Sequence, residues 1–297
     1  MLLVEECAGN PMPGAVLPCN RRPVRRFLLA KRNASMKLCW IHPTARNPVL
    51  EPLWATIHER VGAVVASNVQ LDFRFLATSG GFTRSQYAEH LNSVLMVEAA
   101  MQAQADGYDG VYLGCWNDPL WEAREMLDIP IASVGEQSML AALAMGQRFA
   151  VVTVSDKTAV AIERDIIAYG LRDRCIARPV RSITPYSDAQ LLLEAVDAPA
   201  RQFIPRFEAA AHACISDGAD VILVGCAYYG PLLRRAGYSH VQGTRVPVVD
   251  SSTVGLKYLE AMVGVARCTG LVKSQANLFA GVAPESMAQG RKALGLP

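Results

Sequence analysis

The chain has 297 residues, of which 51% are hydrophobic and 19% charged, with a formal net charge of +2. That length and apolar fraction suit an α/β protein with one or two real cores, and exclude a disordered or collagen-like chain. The near-neutral charge gives no electrostatic basis for binding nucleic acid or a membrane surface, and no apolar stretch approaches a membrane span of about 18 residues.

Residues 1–35 look foreign to the rest of the chain. They carry Arg21, Arg22, Arg25, Arg26, Lys31 and Arg32, four prolines and no apolar period. The segment is expected to be a disordered leader or upstream extension rather than a secretory signal, which needs a longer apolar core. Met36 then opens MKLCWI, a run of strand length that ends at His42, Pro43 and Thr44. After a TSGGFTRS loop containing Arg84, the spacing of Leu91, Val94, Leu95 and Ala99 predicts a helix closed by Gly107.

The next strand, in DGYDGVYLGC (106–115), ends on Cys115. Asn117, Asp118 and Pro119 come after it, with Asp118 as a plausible N-cap and Pro119 in the first turn of a helix. IPIASVGEQSMLAAL from Ile129 predicts a short strand and then a helix, and FAVVTV (149–154) predicts another strand running into Ser155. DGADVILVGC (217–226) ends on Cys226. VPVVDSSTVGLKYLE from Val246 gives a last strand and a helix on Val254, Tyr258, Leu259, Met262 and Val263, with Ser252 or Thr253 available as its cap.

Several of these segments repeat. DGYDGVYLGC and DGADVILVGC match at five positions with an offset of 111 residues, and both end on cysteine. The runs before Thr44 and before Ser155, and the strand–turn–helix segments after each cysteine, align at similar offsets. This period is too long for a solenoid and predicts a duplicated α/β unit. The expected division is a first lobe of 36–134 plus 249–275, a second lobe of 135–248, and a tail of 276–297.

Ligands of open α/β sheets bind outside the carboxyl ends of the strands. Two facing units would therefore place one thiol on each side of a shared cleft. One thiolate can then remove a proton next to a carbonyl while the other thiol delivers one to the opposite face. A helix N-terminus after Cys115 would favour its thiolate, with Asp118 opposing it if its charge faces the sulfur. Thr44, Asn117, Thr153 and Ser155, each at a predicted strand end, are the candidate donors to the developing oxyanion. His42 reads either as a binding residue or as a structural hydrogen-bonding group. Arg84 reads as a bidentate carboxylate ligand or as a solvated surface residue. Ala227 and Tyr228, directly after the second cysteine, are expected to line the substrate pocket, with Tyr229 narrowing it or packing. Cys39, Cys175, Cys214 and Cys268 have no counterpart in the repeat and are expected only to pack.

The segments GCWNDPLWEAREMLDIPIASVGEQ (114–137), FAVVTVSDKT (149–158), YGLRDRC (169–175), DGADVILVGCA (217–227) and VPVVD (246–250) together resemble the cofactor-independent Asp/Glu/hydantoin racemase superfamily, most of all its hydantoin racemase branch. The resemblance implies two flavodoxin-like (Rossmann-like) lobes related by a pseudo-twofold axis, with the active site in the cleft between them. It also implies a two-base mechanism with Cys115 and Cys226 as the bases. Glutamate racemases are similar but carry Thr and His after the second cysteine, where Ala227 and Tyr228 stand. Hydantoin racemases carry small residues at the tyrosine positions.

The expected function is therefore racemisation of a 5-substituted hydantoin or related amide. An aspartate or other amino-acid racemase, and a maleate-type cis–trans isomerase with a cysteine nucleophile, remain as alternatives. Arylmalonate decarboxylase, similar but with a single cysteine, is disfavoured by the pair of cysteines, as is a non-enzymatic binding protein. The chain has no Gly-rich phosphate loop, no lysine in a pyridoxal context and no metal-ligand spacing, so no cofactor and no metal are expected. The eight cysteines include no CxxC. They suggest a reduced, cytoplasmic protein; it is further expected to act on a small molecule, to form a homo-oligomer and to have no nucleic-acid or membrane partner.

Overall fold

The computed structural model describes residues 35–80, 85–116 and 119–295. All but the last residue of the expected leader, and the candidate residues Arg84, Asn117 and Asp118, lie outside the described residues.

Among the described residues, eight strands form two parallel sheets. β1 (Met36–Ala45), β2 (Val69–Leu76), β3 (Gly110–Leu113) and β4 (Ile131–Ser133) are ordered β2-β1-β3-β4. β5 (Phe149–Thr153), β6 (Cys175–Ser182), β7 (Val221–Gly225) and β8 (Val248–Val249) are ordered β6-β5-β7-β8, the same topology repeated. The repetition reaches the register. Leu38 pairs with Gly110 in the first sheet, and Phe149 with Val221 in the second, each residue moved by 111 positions. Both faces of such sheets are covered, so β3, β5 and β7 are almost wholly apolar, with Thr153 closing β5, and every residue in them is buried.

Parallel strands require crossovers, and helices supply them. They are α1 (Glu51–Gly62), α2 (Gln86–Ala105), α3 (Leu120–Met126), α4 (Val134–Ala142), α5 (Asp156–Ala168), α6 (Ala189–Asp197), α7 (Phe203–Ser216), α8 (Tyr229–Arg235), α9 (Ser251–Thr269) and α10 (Pro284–Ala293). α9 comes after the last strand of the second sheet, yet packs on β3, β4 and α4. This helix thus returns the chain from the second sheet to the first.

Three local expectations are corrected. α2 forms as predicted, but buries Ala88, Asn92, Met96, Ala100 and Ala103, leaving Leu91 and Val94 about two-fifths exposed at 42% and 40%. Three of the five buried residues, Ala88, Ala100 and Ala103, are small and let this helix approach β1 closely, so Leu91 and Val94 turn outward. α9 is capped by Asp250, whose side chain accepts from the Thr253 N–H, rather than by Ser252 or Thr253. Pro119 sits one position before the first residue of α3, not in its first turn.

The start of β1 is clamped from behind by a buried ion pair. The Arg267 guanidinium on α9 donates to Asp109 at 2.7 Å, with the two side chains 4% and 0% exposed. Asp109 also accepts the Lys37 N–H at 2.8 Å, and Arg267 donates to the Ser35 carbonyl at 3.0 Å. Removing one partner strands a desolvated charge. Asp109→Ala is therefore expected to cost about 3–5 kcal/mol, read as a lowered midpoint in urea unfolding.

Candidate active site

The geometry begins with the two glycines that precede the repeated cysteines. Gly114 donates its N–H to the Ile41 carbonyl at 2.8 Å as the chain leaves β3. A Cβ there would lie 2.0 Å from Trp40 Nε1 and 2.8 Å from the Ile41 oxygen. At the end of β7, a Cβ on Gly225 would meet Val151 Cγ1 at 2.8 Å and Thr153 Cβ at 2.9 Å. Only glycine lets each central strand finish flush against its neighbour, and the next residue in each case is the cysteine.

Cys115 and Cys226 are both half-buried and line the same cavity, of about 570 Å³, between the two sheets. Thr44, Ala227 and Tyr228 join them on its wall, together with Trp116 and Tyr229. The other cysteines differ in kind. Burial pushes the thiols of Cys39 and Cys175 up to about 12 and that of Cys214 to about 11, which keeps them protonated. Cys268, expected to pack, is instead exposed on α9.

Three candidates do not reach the cavity, and each has another task. Thr153 is buried and donates its hydroxyl to the Gly225 carbonyl at 2.7 Å, fixing the end of β7. Ser155 caps α5, accepting the Thr158 N–H at 3.3 Å, and it is Thr158 that lines the cavity. His42 is fully buried behind Tyr228. Its Nδ1 lies 3.3 Å from the Tyr228 hydroxyl and its Nε2 lies 2.8 Å from His58 Nε2. Arg84 and Asn117 lie outside the described residues.

Sequence reasoning missed Arg46, Asn47, Ser79, Glu89, Thr158, Ser187 and Asp188, all of which line the cavity. The repeat contained a signal for two of them. Asn47 and Thr158 are 111 residues apart, three positions beyond Thr44 and Ser155. Ser187 and Asp188 come after β6, a strand that the repeat does not mark.

Arg46, the one guanidinium on the described wall, is 64% exposed and already bonded to both carboxylate oxygens of Glu51, at 2.5 and 3.1 Å. Glu89, on the same wall, has its carboxyl raised to about 7 by burial. Asp165 on α5 is raised to about 7 by burial and then by the charge of Glu89, and its Oδ2 is buried without a hydrogen-bond partner.

Both features can be checked by unfolding. Gly114→Ala and Gly225→Ala should each destabilise by about 1–3 kcal/mol in denaturant, Gly114→Ala the more because its neighbours include backbone. For Glu89 the folded value lies above the unfolded one, so ionisation costs stability progressively as pH rises from about 4.5 through about 7. Glu89→Gln should therefore raise the melting temperature relative to the parent at pH 8, and leave the two equal at pH 4.

Residues 52–259 match the model of a family described as Asp/Glu/hydantoin racemase. The chain is 31% identical over 191 residues to a hydantoin racemase of Rhizobium meliloti, covering 61% of this chain and 71% of that one. It is 26% identical over 198 residues to a hydantoin racemase of Pseudomonas sp. (strain NS671), covering 64% and 72%. The solved structure of an allantoin racemase from Klebsiella pneumoniae shares the fold, with a TM-score of 0.68 at 21% identity, over 84% of this chain and 94% of the other. The family model covers more than half of the chain, so the chain belongs to the Asp/Glu/hydantoin racemase family, and its relatives named racemases are isomerases.

Proposed function

We propose that the protein is a cofactor-independent racemase of 5-substituted hydantoins or closely related cyclic amides, with Cys115 and Cys226 as its two bases. The observation that carries this reading is that the two repeated Gly-Cys strand ends open on one cavity.

One thiolate takes the proton from the ring carbon beside the carbonyl, and the electron pair moves into the carbonyl as an enolate. The other thiol gives its proton to the opposite face, the enolate collapses, and the second sulfur is left as the thiolate. Charge and protons balance, and the opposite enantiomer uses the same groups in reversed roles. Thr44, on the wall, is the proposed donor to the enolate oxygen.

The substrate class rests on two supports. The curated relatives are named hydantoin racemases. A free amino acid would present a carboxylate needing a dedicated cation, and Arg46 on the described wall is already paired with Glu51. A neutral ring amide needs no such clamp, and its carbonyl acidifies the neighbouring carbon more than a carboxylate does.

The test starts from one enantiomer of a 5-substituted hydantoin in deuterated water, monitored by circular dichroism and proton NMR. Loss of ellipticity should accompany deuterium entry at the ring carbon. Cys115→Ser and Cys226→Ser should each lower racemisation by about 10²–10⁴-fold, and the double variant by little more, because inversion needs both groups. Activity should survive chelation and dialysis and be lost on thiol alkylation, with substrate protecting. Racemisation lost with EDTA and restored by a metal, or both serine variants at parental rates, would overturn the reading. A stable thiol adduct with maleate would support the isomerase alternative instead.

A further inference from the structure

Behind the cavity wall lies a line of three hydrogen-bonding groups that the two-thiol mechanism does not use. His58, on α1, is part-exposed; His42, at the end of β1, is fully buried; and Tyr228 lines the cavity two positions after Cys226. His58 Nε2 and His42 Nε2 are 2.8 Å apart, and His42 Nδ1 and the Tyr228 hydroxyl are 3.3 Å apart.

Aromatic stacking holds the rings in place. His42 lies on Phe75 at a centroid distance of 4.3 Å and 6° from parallel, and His58 lies on Phe73 at 3.7 Å and 14°. Two ring nitrogens at 2.8 Å require one hydrogen between them, since facing lone pairs would repel. This couples the tautomers. If His42 carries the hydrogen on Nε2, its Nδ1 accepts from the Tyr228 hydroxyl. If His58 carries the shared hydrogen, His42 holds its own on Nδ1 and donates to the Tyr228 oxygen.

Resting on the two-thiol reading above, we propose that His58, His42 and Tyr228 form a proton relay between solvent at His58 and the interlobe cavity at Tyr228. A racemase of this kind needs one. Each turnover moves a proton onto one sulfur and off the other, so the enzyme leaves product in the opposite protonation state from the one that accepted substrate. The same enantiomer can bind productively again only after one thiol loses a proton and the other gains one.

In the inward direction, water gives a proton to His58 Nδ1, and His58 passes its Nε2 hydrogen to His42 Nε2. His42 passes its Nδ1 hydrogen to the Tyr228 oxygen, and the Tyr228 hydrogen leaves for the thiolate side of the cavity. Every relay group ends neutral, and the reverse run carries a proton out. Burial and the neighbouring His58 hold His42 down to about 3; burial and the Arg46 charge, opposed by Glu51, hold His58 to about 4. Both rings are thus neutral near pH 7, which suits a concerted shift of hydrogens better than a stepwise passage through imidazolium.

The test uses the full-length enzyme with His58→Ala, His58→Gln and Tyr228→Phe, beside Cys115→Ser and Cys226→Ser. The return of free enzyme limits turnover at high substrate and does not enter the capture of substrate at low substrate. His58→Ala is therefore expected to lower kcat by about tenfold, at the lower edge of proton-transfer effects, with kcat/KM held within about twofold, and Tyr228→Phe to lower kcat at least as much. Added imidazole should restore kcat in His58→Ala and do nothing for Tyr228→Phe. Parental kcat in folded His58 and Tyr228 variants, or equal losses in kcat and kcat/KM in the His58 variants without imidazole rescue, would overturn the relay. Should His58→Ala fail to fold, His58→Gln decides by the same split. The cysteine variants separate the two failures: if they are inactive while the relay variants are unaffected, only the relay is wrong, and if they racemise normally the two-thiol reading itself is wrong.

Discussion

The arrangement depends on the absence of a side chain at two positions. Gly114 and Gly225 let β3 and β7 end in contact with β1 and β5, where a single methyl would meet an indole nitrogen, a carbonyl oxygen or a packed side chain within 2.9 Å. The next residue must turn away from the sheet, and in both copies it is a cysteine. Close packing at the end of each central strand thus fixes where each thiol emerges. The duplicated topology then places both thiols on one wall-to-wall cavity.

Burial sets three of the other described cysteines apart. Cys39, Cys175 and Cys214 lie in the cores, where desolvation holds them as thiols, while Cys115 and Cys226 lie half-buried at the cavity. The two lobes are not symmetric around them. At the strand end equivalent to Thr153, whose hydroxyl ties back to Gly225, the first lobe carries His42, which reaches across to Tyr228 of the second. The same structural position therefore serves as a tether in one lobe and as a hydrogen-bonded link between lobes in the other.

Much of this was legible in the sequence, because a 111-residue shift of Asp, Gly and Cys survives even where the rest has diverged. Apolar runs of strand length marked the central strands, and turn glycines marked their starts. Helix faces were less legible. Leu91 and Val94 have helical spacing, but Ala88, Ala100 and Ala103 are small enough for close approach, and they take the inside of α2. At the site, strand-end position alone did not distinguish a residue facing the cavity from one facing a neighbouring strand. Thr153 and Ser155 therefore gave way to Thr158, one helical turn further on. His58 sits inside α1 with no local signal, since its partner is 16 residues away and the contact exists only once β1 and α1 have packed.

The central claim, that both thiols open on one small cavity, is tested most directly by a short bis-alkylating reagent such as dibromobimane, which becomes fluorescent when both arms have reacted. Fluorescence should develop with one equivalent of reagent, mass spectrometry should place the bridge between the peptides of Cys115 and Cys226, and a hydantoin ligand should block it. Separate single alkylation of Cys115 and Cys226, with no bridged peptide, would contradict the account.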